Sequence, residues 1–213
     1  MEHNMKSERT RTIAVFALFA AIIFIMTFTP LGFIPLGFMN ATIVHVPVII
    51  GSLLLGPKMG ALLGFMFGLG SFIRAVISPT VMSFCFTPLM PVPGTDSGSL
   101  WALAVCFIPR ILTGVVPYYV NRMLAGNGSG HVRRYIASFS AGIAGSLTNT
   151  LLVMNLIYMI FGPQYAEAIG KAAEWIYGLI LTVIIAHGVP EAITAGLLSS
   201  IIAMKAETVI RKR

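Results

Sequence analysis

Charge is what this sequence has least of. Asp, Glu, Lys and Arg make up 10% of its 213 residues, against roughly a quarter in soluble domains. Hydrophobic residues make up 57%, and the mean hydropathy is +0.90. One water-soluble core cannot hide that much apolar surface, so the composition points to an integral membrane protein. Cysteine is scarce too. Cys85 and Cys106 lack metal-ligand spacing and define no disulfide framework, so they read as small packing residues. Catalytic signatures are also missing. "GPKMG" lacks the Lys-Ser/Thr ending of a phosphate-binding loop, and there is no H-E-x-x-H, CxxC or GxSxG. The motifs therefore offer neither an ATPase site nor a nucleophilic triad. No cofactor or metal is expected, and if the chain drives transport another polypeptide must supply the energy. A cleavable signal peptide is not evident either. The apolar run Ile13 to Phe28 leads into "TPLGFIPLGF" rather than a small-residue cleavage site, and reads as a retained helix.

What is present is length of apolar chain. A spanning helix needs about 20 mostly apolar residues. Six segments qualify, at roughly 11–29, 36–55, 58–78, 99–124, 133–161 and 172–204. The expected fold is an all-α membrane bundle of six transmembrane helices forming one domain over 1–213. No internal repeat supports an inverted-repeat transporter.

The net charge of +7 is a topology signal rather than a nucleic-acid surface. With the N-terminus inside, Lys6, Arg9, Arg11, Lys58, Arg122, Arg133, Arg134, Lys205, Arg211, Lys212 and Arg213 all fall on the inner side. Arg74 and Lys171 fall outside, and Arg110 lies within a helix. Cationic loops stay cytoplasmic, which predicts that both termini are cytoplasmic. The connections 30–40, 79–98 and 162–171 then face outward, where a ligand would be met.

Polar residues inside spans are the candidates for function. "PLGFMNATIVHVPVIIG" (35–51) places Asn40, Thr42 and His45 in an apolar stretch. Its Pro47 leaves the Ile43 carbonyl without a helix partner and predicts a bend. A helix from Thr42 to Leu55 is about 21 Å long, shorter than the hydrocarbon core of about 30 Å. Arg110 and Glu191 sit near the middle of the fourth and sixth helices. A mutual salt bridge is one solution for such costly charges, and a proton relay is the alternative. Arg74 either snorkels to the headgroups or meets an anionic ligand. His187, in "AHGVPEAI", reads as a neutral, hydrogen-bonded bundle residue. On the fifth helix Asn149 and Asn155 point to different faces, and Thr148, Asn155 and Tyr158 share one. Small-residue stripes (Ala14, Ala17 and Ala21; Gly60, Gly64 and Gly68; Ala137, Ala141 and Gly145; Ala192, Gly196 and Ser200) are packing faces within the bundle or against another subunit.

These residues carry a resemblance. "ALFAA" (17–21) is an Ala-x-x-x-Ala motif. "ATIVHVPVIIGSLLLGPKMGALLGFMFGLGSFI" (41–73), "IPRILTG" (108–114) and "HGVPEAITAGLL" (187–198) complete a pattern that covers nearly the whole chain. It resembles the substrate-binding S component of an energy-coupling-factor (ECF) vitamin transporter. Within that family, "TPLGFIPLGFMNATIVHVPVII" and "SPTVMSFCFTPLMPV" look most like the pantothenate-type branch; S components for pyridoxine, hydroxymethylpyrimidine, riboflavin or folate are the alternatives. The resemblance implies a bacterial plasma-membrane protein that captures a vitamin from outside, with the first outer loop as a lid. A membrane coupling subunit and two cytosolic ATP-binding subunits would be its partners, Ala17 and Ala21 its docking face, and toppling in the bilayer its route of delivery. The candidate substrate-binding residues are Asn40, Thr42, His45, Arg74, Asn149, Asn155 and Tyr158. A self-sufficient ion-coupled transporter using Arg110, His187 and Glu191, or a membrane enzyme or assembly factor, remain as other readings.

Overall fold

The computed structural model describes residues 2–35, 40–126, 130–170, 172 and 175–211; the side chains of 2–7, 31, 33–35, 40–41 and 206–211 fall outside that description. The long helices are α1 (Glu2–Phe28), α3 (Pro57–Ile77), α4 (Trp101–Ala125) and α5 (His131–Ala168). The last is a continuous rod made of α6 (Ile176–Val183), a π-turn (Ile184–Gly188) and α7 (Val189–Arg211). Among the described residues, five helices are long and apolar enough to cross a bilayer. Their outer surfaces bear it out: Ile13, Ile25, Phe65, Ile108, Met159, Ile185 and Ile201 are all exposed, the reverse of a soluble protein.

The second segment departs from the expected helix over 36–55. A two-stranded antiparallel hairpin, β1 (Phe33–Pro35) and β2 (Asn40–Thr42), precedes a short helix α2 (His45–Leu55). Residues 36–39 lie outside the described residues. The helix starts late for a local reason. Pro47 occupies its first turn, where a missing N–H costs nothing. The Ile43 carbonyl that Pro47 cannot serve accepts a hydrogen bond from the Val46 N–H at 3.0 Å. Pro47 thus helps to begin α2 and bends nothing.

Glycine and proline set the other boundaries. Gly56, at φ 88°, turns α2 directly into α3, whose first residue is Pro57. No loop separates the two helices, because the turn needs no more than that one positive-φ glycine. In α5 the helix kinks at Phe161 (φ −126°, ψ 16°) just before Pro163, where the sequence ends the spanning segment. The remainder of α5 continues past the kink and packs over the 79–98 connection. Phe84, Cys85 and Val92 of that connection are buried in one cluster with Phe161, Tyr165, Ala166 and Ile176. Burial raises the Cys85 thiol well above its ordinary pKa, consistent with its reading as an inert packing residue.

Helix contacts run through small residues, as lipid-embedded packing requires. A Cβ on Gly60 would strike the Gly114 carbonyl, and one on Gly64 the Arg110 carbonyl, so α3 and α4 touch backbone to backbone. Gly142 meets Ala195 and Gly196 between α5 and α7. Gly60→Ala is therefore expected to cost about 1–3 kcal/mol through overpacking, read as a lower unfolding temperature of the purified protein in detergent. The stripe on α1 differs. Ala14, Ala17 and Ala21 are exposed, while the opposite face of α1 buries Ile23 against Val44, Val48, Leu63 and Phe67.

Candidate functional site

Four elements meet toward the hairpin end of the bundle. Helices α2 and α5 each pack on both α4 and α7, so α4 and α7 form facing walls. Below, α2 and α5 close on each other, with Gly145 lying against Ile49 and Pro117. Going one turn toward the hairpin from this floor brings His45 on α2 and Asn149 on α5; going two turns along α4 brings Arg110. On α7, Gly188 lies against Thr150, which fixes that wall at the same height.

Local sequence places the arginine. Pro109 lacks the N–H that would serve the Val105 carbonyl one turn back. The guanidinium of the next residue takes that place: Arg110 Nη1 donates to Val105 O at 2.8 Å. The side chain thereby folds toward the hairpin end, with its charged carbon 5.6 Å from the Phe67 ring centroid and 5.0 Å from that of Phe86. It is 7% exposed, and its Nε–H has no partner.

Arg110 does not pair with Glu191. The expected bridge fails because α2 and α5 stand between α4 and α7, and each charge finds a nearer partner. Glu191 Oε1 accepts the Thr42 N–H at 2.6 Å, with the side chain leaning back along α7 toward the hairpin. Arg110 is left with two aromatic faces and one carbonyl. Cation–π contacts contribute about 0.5–2 kcal/mol each. A mid-membrane arginine costs about 2.5 kcal/mol or more, so the rings offset the cost without supplying a counter-charge.

The neighbouring polar groups are also unsatisfied. His45 is 1% exposed and lies against the Thr42 backbone without a well-formed hydrogen bond from either ring nitrogen, and Asn149 is 8% exposed with a free Oδ1. Buried polar atoms are hydrogen-bonded in the great majority of cases, and leaving one bare costs about 1–3 kcal/mol. A cation, an amide and an imidazole left with unused hydrogen-bonding capacity on three helices of one bundle are therefore suited to a small anionic molecule with hydrogen-bonding groups.

The other candidates lie elsewhere. Arg74, at the end of α3, donates to the Thr27 carbonyl of α1 at 2.6 Å and ties those helices together. Asn155 is exposed and donates to Leu151 O within its own helix at 2.7 Å. Tyr158 is 40% exposed and packs its ring against Tyr177. The Thr148/Asn155/Tyr158 face thus looks away from the buried side of α5 that carries Asn149, because six residues of helix rotate Asn155 through about 240° from Asn149. The side chain of Asn40 lies outside the described residues. Sequence reasoning passed over two ring contacts, Phe67 and Phe86. It also gave Arg110 an acid partner. The available signal was the Pro-Arg pair at 109–110 and the position of the acids, since Glu191 alone among the seven lies well inside a span.

Comparison with known proteins meets this geometry from another side. The pantothenic acid transporter PanT of Lactococcus lactis subsp. cremoris (strain MG1363) is 38% identical over 201 residues, covering 93% of this chain and 94% of that protein. The family described as "ECF transporter, substrate-specific component" matches residues 11–204, which takes in α2, α4 and α5 and all but the end of α7. A multi-pass helical protein of the bacterial plasma membrane, with buried polar groups left unsatisfied on its helices, the chain belongs to the substrate-specific components of ECF transporters.

Proposed function

We propose that this chain is the pantothenate-binding subunit of an ECF importer. The observation that carries the reading is Arg110: a buried cation with no acid beside it among the described residues, in a bundle where buried His45 and Asn149 also keep unused hydrogen-bonding atoms. Pantothenate supplies the complement. Its carboxylate pairs with the guanidinium, its amide and hydroxyls with Asn149 and His45, and its dimethyl group with the apolar wall. The carboxylate role passes from Arg74 to Arg110, since Arg74 already serves the Thr27 carbonyl at the edge of the bundle. The relative named for pantothenic acid transport supports the choice of vitamin.

The rest of the mechanism follows from that family membership and the distribution of charge. The hairpin end faces outward and acts as the lid, with Thr42 in its second strand. Lys58, Arg122, Arg133, Arg134 and Lys205 mark the opposite end as cytoplasmic, and both termini lie there in a single membrane domain. A membrane coupling subunit docks on the exposed Ala17/Ala21 face of α1, and two cytosolic ATP-binding subunits provide the energy. Toppling of the loaded subunit then delivers the vitamin inside.

Calorimetry of the purified chain against pantothenate, pyridoxine, hydroxymethylpyrimidine, riboflavin and folate tests the assignment. Pantothenate is expected to bind at least about 100-fold more tightly than pyridoxine, hydroxymethylpyrimidine or riboflavin, because a site built for a charge rejects ligands that leave the charge bare. Tighter binding of an uncharged vitamin would overturn it.

A further inference from the structure

Two connections lie toward this end of the bundle, and they are held in different ways. The 79–98 connection is anchored by its buried Phe84, Cys85 and Val92. It is also closed on itself by hydrogen bonds from Thr80 N to Ser83 Oγ and from Val92 N to Ser97 O. The hairpin has three residues in each strand. A two-stranded hairpin of that size is marginal in isolation, so its seating depends on ties to the bundle. One such tie is polar and crosses to another helix: the Thr42 N–H donates to Glu191 Oε1 at 2.6 Å. It joins β2 to α7, the wall facing Arg110.

Glu191 is a costly residue where it stands. An acid well inside a span is unfavourable unless something stabilises it, and the ion pair that would have justified it does not form. A carboxylate accepting a backbone N–H makes a short, charge-assisted bond. The helix is also shaped to make that bond. The π-turn at Ile184–Gly188 ends three residues before Glu191. One extra residue in a turn rotates everything after it by about 100° relative to an uninterrupted helix, so this turn sets the direction in which Glu191 points.

We propose that Glu191 is the latch of the lid: its carboxylate holds β2 down over Arg110, His45 and Asn149, and release of the Thr42 N–H opens the ligand's path. The 79–98 connection stays fixed while the hairpin moves. Glu191 is thus a positioning residue, acting on the ligand through β2. The idea rests on the pantothenate-binding reading, but its first test does not.

That test is hydrogen exchange on the purified, ligand-free protein. In Glu191→Ala the amides of residues 40–44 are expected to exchange about 10-fold faster or more, as loss of a hydrogen bond to a charged group predicts. Amides of 83–87 should be unchanged. Glu191→Gln keeps an acceptor oxygen and should stay within about threefold of wild type. Unchanged exchange in Glu191→Ala, or a Gln variant as fast as the Ala variant, would overturn the latch. The second test uses pantothenate as the probe. Its dissociation rate should rise about 10-fold in Glu191→Ala and in Thr42→Pro, which removes the donor instead. The double variant should be no faster than the faster single one; additive increases would overturn the proposal. If wild type fails to bind pantothenate, the functional reading falls while the exchange result still decides the latch.

Discussion

Arg110→Met is expected to abolish useful pantothenate binding while leaving the protein at least as stable as wild type. Removing one member of a buried charge pair costs about 2–5 kcal/mol, so affinity should fall by two to three orders of magnitude or so. The unliganded protein has no such pair to lose. Its guanidinium sits between Phe67 and Phe86 with Nε–H unserved, and replacing an uncompensated buried charge by an apolar chain of similar length is often neutral or stabilising. Calorimetry and thermal unfolding on the same preparation separate the two effects. An analogue with the carboxylate reduced to an alcohol should lose about tenfold or less, since it never paired with the charge. Arg110→Lys should fall between, because an ammonium cannot hold the Val105 carbonyl and lie flat against two rings at once. A large drop in unfolding temperature, with equal losses for acid and alcohol, would return Arg110 to a structural role.

Ala17→Trp or Ala21→Trp should produce the opposite dissociation of properties. Uptake in cells or proteoliposomes carrying the full transporter is expected to fall below about a twentieth of wild type, with pantothenate affinity changed less than about threefold. Close helix approach depends on small residues, and an indole on that face keeps a partner helix away. The side chains point outward, so nothing inside the bundle has to move. Weakened binding in step with lost uptake would instead tie that face to the fold of the site.

How much of this was legible in the sequence depended on which forces decide each feature. Apolar length and Gly-Pro punctuation are local, and they placed α3, α4 and the kinked end of α5 closely. The β1–β2 hairpin was not visible, since three-residue strands among prolines and glycines carry no periodicity. Pro47 was recognised as a breaker but given the wrong geometry: the same missing N–H that kinks a helix interior is harmless in a first turn. The pairing of Arg110 with Glu191 was a fair deduction from cost alone. It failed because cost says that a charge needs a partner, while the arrangement of α2 and α5 between the two walls decides which partner is within reach. Asn149 and Asn155 were separated by helical phase in the sequence, but burial was needed to say which of them faces inward.

The shortness of α2 has a consequence for the distance the cargo must travel. Eleven residues make a helix about 16 Å long, roughly half of the hydrocarbon thickness of about 30 Å. With its far end at Gly56 joined straight to α3, α2 supports the floor of the binding space near the middle of the bilayer. On the proposed reading, a vitamin resting on that floor would have crossed about half of the barrier by diffusion, before any ATP is spent, and the energised step would have the second half left to accomplish.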